Sequence, residues 1–187
     1  MKFRAILAAI AASLLFSSMT TPALAQSAAS APASMQDYKL GVSDKVRIVV
    51  YNEPTLSGEF PVNANGAIAV PLIGDVPAIG HTTTELAREI ETRLADGLLR
   101  DPKVSIDVAN FRPFYILGEV NKPGEYPYST GLSVLNAVAT AQGFTYRADK
   151  RRVFIKSAGA AGEVTERLDP ASMVKPGDTI RIGERFF

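Results

Sequence analysis

From residue 46 onward the apolar positions fall into short runs broken by Gly, Pro and Asn, at 46–51, 59–62, 67–72 and 76–79. Runs of this length bounded by turn residues predict β-strands. Asn65-Gly66, between two of them, predicts a tight turn, because both residues tolerate positive φ. The period then changes. Over 82–99, Leu86, Ala87, Ile90, Leu94 and Leu98 recur at helical spacing, with Arg88, Glu89, Thr92, Arg93 and Asp96 on the other side. Thr82 with Glu85 three positions on has the form of a capping box. The helix is expected to end before Asp101-Pro102, since the residue preceding a proline resists helical φ and ψ. Val104, Ile106 and Val108 alternate with Ser105 and Asp107, the pattern of a half-buried strand.

A second unit follows with little separation, only 110–113. Its expected elements are a strand at 114–120, a turn at Lys122-Pro123-Gly124, and a short returning strand carrying Tyr126. Ser133 can cap a helix over 134–141, and Gly143 stands where a C′ glycine is expected. Strands at 152–155 and 163–168 flank a turn at 159–162, and Pro176-Gly177 turns the chain into a last strand at 179–182. The fold class is α+β: two small β-rich units, 38–110 and 111–187, each holding one helix against a sheet.

The N-terminal segment changes the charge picture. Lys2 and Arg4 precede an apolar run at 5–16, and Ala23-Leu24-Ala25 follows with small outer residues. This is the pattern of an export signal over 1–25, cleaved before Gln26, its apolar run being shorter than the ~20 residues a spanning helix needs. Without it, 18 cationic residues face 19 acidic ones, against 20 and 19 in the whole chain. Such balance argues against a nucleic-acid partner, which is bound through a Lys and Arg excess. Residues 26–37, rich in Ala, Ser and Pro, read as a flexible tether. With no Cys, disulfides, thiol chemistry, Cys metal sites and lipidation after the signal are excluded.

Candidate chemistry is sparse. His81 is the only histidine, beside the helix cap, and is more commonly a surface turn residue than a base or ligand. No metal site, cofactor or catalytic residue is expected. Glu53, Glu59, Glu119 and Glu125 lie at strand ends, where two acids meeting across a cleft would make a glycan hydrolase; solvated strand ends are the commoner case. Arg147, Lys150, Arg151 and Arg152 could steer an anionic polymer, or form a solvated edge, or meet acids on a neighbouring subunit. Tyr126 and Tyr128, expected on one strand face, suit stacking on sugar rings, although such alternation more often fills a core. The carbohydrate-contact candidates are therefore Tyr126, Tyr128, Arg147 and Arg151. Phe186-Phe187 at the end is expected to be a packed aromatic, because the two helices do not fit a membrane β-barrel.

Several segments, taken in order, resemble the polysaccharide biosynthesis/export family of the bacterial outer membrane. They are YKLGVSD at 38–44 with VRIVVY at 46–51, VNANG at 62–66, VPLIG at 70–74, TEL at 84–86 and DPKV at 101–104. In the second unit LGEVNKPGEY at 117–126, VLNA at 134–137 and AQG at 141–143 resemble the family's soluble-ligand-binding β-grasp (SLBB) module, with Gly118, Pro123, Gly124 and Gly143 as its structural turn positions. The resemblance implies a polysaccharide export domain at 38–110 followed by the β-grasp domain at 111–187. It implies a non-enzymatic, ring-forming periplasmic subunit, often an octamer, that guides a polymer to the outer membrane beside an inner-membrane polysaccharide co-polymerase. With one β-grasp module and no terminal amphipathic helix, the chain resembles the short xanthan-exporter-like members, for which a separate outer-membrane β-barrel protein would supply the pore. A monomeric carbohydrate-binding module is the alternative.

Overall fold

The computed structural model describes residues 38–185. The export signal expected at 1–25, the tether at 26–37 and the terminal Phe186-Phe187 lie outside the described residues. Strand β1 (Lys45–Val50) is the centre of the first sheet, with β2 (Gly58–Pro61) and β5 (Val104–Asn110) antiparallel on either side. Val46, Ile48 and Val50 alternate inward and Arg47 and Val49 outward, so one face of the sheet is buried and one is wet. A separate hairpin, β3 (Ala67–Val70) with β4 (Gly74–Pro77), contributes Ile68, Val70 and Val76 to the same core. Helix α1 (Thr83–Ala95) closes it with Leu86, Ile90 and Leu94. Each such buried Leu, Ile or Val stabilises the fold by roughly 1.5–3 kcal/mol.

The expected capping box is present: the Thr82 hydroxyl accepts from the Glu85 amide, and the Glu85 carboxylate accepts from the Thr82 amide. The helix is shorter than its apolar pattern suggests. It stops at Ala95 because Gly97 takes a φ of +78°, which swings Leu98 into solvent at 46% exposure and lets Leu99 pack on the core instead. Asn65-Gly66 does turn the chain, through the Asn63 side chain accepting from the amides of Asn65 and Ala67, but it joins strands of two different sheets. The run expected at 67–72 ends at Val70, since Leu72 adopts φ +69° and is exposed.

The second unit is a five-stranded mixed sheet covered on one face by a helix, the arrangement expected of a β-grasp module. In space the order is β7 (Gly124–Tyr126), β6 (Phe114–Gly118), β10 (Thr179–Ile182), β8 (Arg152–Lys156) and β9 (Val164–Arg167). β6 and β10 run parallel, and the other pairs are antiparallel. Helix α2 (Val134–Thr140), capped by Ser133, lays Val134, Ala137 and Val138 on Phe114, Ile116, Val153, Ile180 and Ile182. Its end corrects the expected position of Gly143. The left-handed C′ residue is Gln142, at φ +65°, and Gly143 follows it at C″, its amide donating to the Val138 carbonyl while that of Gln142 donates to Ala139. This is a Schellman closure with glutamine in the strained place.

Gly118 meets the strictest steric demand in this unit. Its φ is +86°, and a Cβ there would stand 2.1 Å from the carbonyl oxygen of Ile182. That approach lets the Glu119 amide bond the same carbonyl as the parallel β6–β10 ladder ends. Gly118→Ala is expected to cost at least about 3 kcal/mol in urea unfolding, from backbone strain plus displacement of β10. Gly74→Ala, at φ +71° with open space around it, should cost only about 1 kcal/mol.

Candidate functional site

Residues 111–113 connect the two hydrophobic cores, and the packing between them is built on one carboxylate. Asp44, just before β1, is fully buried. Its Oδ1 accepts from the Arg112 amide at 2.7 Å, and its Oδ2 from the Gly41 amide at 2.7 Å and the Tyr38 hydroxyl at 2.6 Å. The Arg112 guanidinium stands 3.6 Å from Asp44, donates from Nε to the Pro176 carbonyl at 3.0 Å, and lies over the Tyr38 ring. Pro176 belongs to the turn before β10, so one side chain ties the first unit's entry to the second unit's last turn. Gly41 and Gly177 make room for it: a Cβ on either would strike the guanidinium or its neighbouring atoms. An edge-to-face series, Tyr38 on Phe111 and Phe111 on Tyr128, continues the contact from one core to the other.

Beside this node lies a groove of about 680 Å³. The first unit supplies Lys39, Val42, Ser43 and Ile79, the second supplies Tyr115, Glu125, Gly159 and Gly177, and Arg112 and Pro113 lie between. Val42, Ile79 and Tyr115 are exposed apolar groups, and Lys39, Ser43 and Glu125 offer hydrogen bonds, so the groove can hold a chain by spread contacts. Among the described residues no group of three or more His, Asp or Glu side chains could hold a metal ion.

The sequence-expected contacts are distributed differently from expectation. β7 ends at Tyr126, so Tyr128 lies beyond the strand and the two rings do not share a strand face. Tyr126 stacks on Phe114 and donates its hydroxyl to the Lys122 carbonyl, while Tyr128 is packed against Phe111 and the second core, where burial pushes its phenol pKa up. Arg147 pairs with Glu184, and Arg151 and Arg152 both reach the buried carboxylate of Asp149. The turn positions work together at the end of α2: Asn121 and Lys122, following Gly118, donate their amides to the Gly143 and Ala141 carbonyls. Pro123 and Gly124 complete that loop into β7 and are exposed.

The strand-end acids do not gather. Glu53 and Glu59 belong to the first unit, where Glu59 pairs with Lys45 and Arg47. In the second, Glu119 holds the Thr145 hydroxyl and Glu125 lines the groove. His81 is exposed and lends its carbonyl to the Leu40 amide. Sequence reasoning missed Asp44, Arg112, Tyr115 and Tyr146. Nothing local marks Asp44 and Arg112 as partners, whereas Tyr115 could have been found from its outward place in the alternation of β6.

Replacing Asp44 by Asn should cost about 3 kcal/mol in urea unfolding, because an amide group would be turned against the donors of Gly41 or Tyr38. Arg112→Met should cost less, about 1–2 kcal/mol, since Asp44 keeps three donors. Asp178, in the Pro176-Gly177 turn, has its pKa raised chiefly by burial, against the Lys175 amide and the Ser157 hydroxyl, which lower it. A carboxyl with a folded pKa above its unfolded value is destabilising while ionised and is relieved as pH falls through the folded pKa. Melting temperatures at pH 7, 5.5 and 4 should therefore show the wild type gaining on Asp178→Asn as the solution is acidified.

The family model described as polysaccharide biosynthesis/export protein matches residues 32–109, and that of the SLBB domain matches residues 113–167. The chain is 40% identical over 162 residues to the exopolysaccharide production protein ExoF of Rhizobium meliloti (strain 1021), a stretch covering 78% of this chain and 38% of that protein. It is 26% identical over 109 residues to the polysialic acid transport protein KpsD of Escherichia coli, covering 57% of this chain and 20% of that one. The chain thus spans well under half the length of either relative. With one model ending at the connector and the next beginning on it, the chain belongs to the polysaccharide biosynthesis/export protein family, its export domain followed by an SLBB domain.

Proposed function

We propose that this protein is a ring-forming subunit of an exopolysaccharide export machine, placed in the periplasm after cleavage of an export signal, where it guides the polymer towards an outer-membrane pore. The observation that carries the reading is the 40% identity to an exopolysaccharide production protein, which runs over 78% of the chain. An inner-membrane polysaccharide co-polymerase and an outer-membrane component are its proposed partners. The surface supports a head-to-tail contact between copies. β9 is an edge strand exposed along its whole length, with Val164 61% exposed, and β2 is an edge of the other sheet. Contacts between such unlike surfaces close into a ring when the rotation permits. A conduit must also release what it carries, and the groove, with its dispersed polar groups, suits weak contact.

Deletion of the gene should abolish surface polysaccharide and leave polymer retained in the cell envelope. Light scattering on the purified chain should give a mass several times that of one subunit. A monomer at every concentration that binds one defined oligosaccharide tightly would overturn the ring and favour a monomeric carbohydrate-binding module.

A further inference from the structure

Tyr146 is the most exposed large apolar side chain among the described residues, at 87%. It sits in the loop between α2 and β8, and a recess of about 200 Å³ is lined by Tyr146, Arg147, Glu184 and Arg185. The loop is firmly built. The Arg185 amide donates to the Arg147 carbonyl, the Asp149 amide donates to Gly183, and Ala148 bridges Glu184. Thr145, next to the ring, is fixed by its amide to the Glu119 carbonyl and by its hydroxyl to the Glu119 carboxylate. An exposed aromatic on an ordered backbone loses little entropy when a ligand covers it.

The surrounding charge is lopsided. Four cations, Arg147, Lys150, Arg151 and Arg185, stand within this loop and the segment against it, and Arg152 follows as the first residue of β8; the acids beside them are Asp149, Glu184 and Glu119, which holds Thr145. The whole chain is nearly balanced, at 20 cationic against 19 acidic residues, so the excess is local. Asp149, 2% exposed, anchors Arg151 and Arg152, and Lys150 lies over the Phe144 ring. The Arg147–Glu184 pair, by contrast, is exposed on both sides. Exposed pairs are worth about 0–1 kcal/mol, so a carboxylate arriving from solvent can take the place of Glu184 at little cost. A guanidinium binds a carboxylate through two parallel hydrogen bonds, while the phenol ring offers its face to the C–H side of a sugar.

We propose that Tyr146 and Arg147 form a subsite for one acidic sugar residue of the transported polymer, with the ring stacking on the sugar and the guanidinium exchanging Glu184 for the sugar carboxylate. The subsite rests on the export reading and narrows it to an anionic glycan. It moves the aromatic contact from Tyr126 and Tyr128, whose rings are packed, to Tyr146.

The test titrates the full chain with hexagalacturonate and with its methyl ester, which keeps the backbone and removes the charge. The acid form is expected to bind weakly and to lose affinity as salt rises, with the ester at least about tenfold weaker. Tyr146→Ala should weaken the acid form about fivefold, Tyr146→Phe should leave it unchanged, and Arg147→Gln should bring it down to the affinity of the ester. Equal binding of the two probes, or no loss in Tyr146→Ala, would overturn the subsite. So would a change in oligomer mass in these variants with glycan binding unaltered, because the patch would then be a contact between copies. Export in vivo separates the two claims. If gene deletion leaves export intact, the export reading fails; if deletion stops export while Tyr146→Ala and Arg147→Gln export and bind as wild type, the subsite alone fails.

Discussion

A carboxylate with no access to water must find its partners within the protein, and Asp44 finds them in the first unit and on the connector, whose Arg112 reaches on to the second unit. The chain entering β1, the amide and side chain of Arg112, and the turn before β10 are placed relative to one another by that requirement. The groove is a result of the same geometry, since Gly41, Arg112 and Gly177 form both the node and part of the lining. The two cores are small, and neither buries Phe111 fully. The edge-to-face rings and the Asp44 cluster together make the contact between them specific, where apolar burial alone would leave it free to slide.

Much of the fold was legible because its signals are local. The capping box at Thr82, the Ser133 cap and the alternation in β1 each depend on residues within one turn or one strand. Leu98 misled because helical periodicity continues past Gly97, and nothing in an apolar pattern records a positive φ. Gly143 misled by one position, as Gln142 bears the left-handed conformation that glycine usually takes. The Asp44–Arg112 node was illegible: its partners are 68 residues apart, and although Asp44 closes the YKLGVSD segment, nothing in that segment points to Arg112.

The candidate contacts show the complementary limit. Aromatic alternation at Tyr126 and Tyr128 suggested a binding face, yet one ring stacks on Phe114 and the other lies against Phe111. Tyr146 carried no pattern at all, and only its surroundings in space make it notable. The basic residues were visible in sequence, whereas their unequal engagement was not: Asp149 is buried beneath two arginines, and Glu184 shares an open surface with one. Whether a charged group is committed or exchangeable depends on solvent access, which a linear pattern does not encode.

The parallel pairing of β6 with β10 also sets the order in which the second unit can be completed. β10 is the last strand among the described residues but lies in the interior of the sheet, between β6 and β8. Until Thr179–Ile182 arrives, the hairpin of β6 and β7 and that of β8 and β9 have no shared backbone, and α2 has only part of a surface to cover. This half is therefore assembled in a single step that waits for Thr179–Ile182, and an emerging chain holds it open until that strand is inserted.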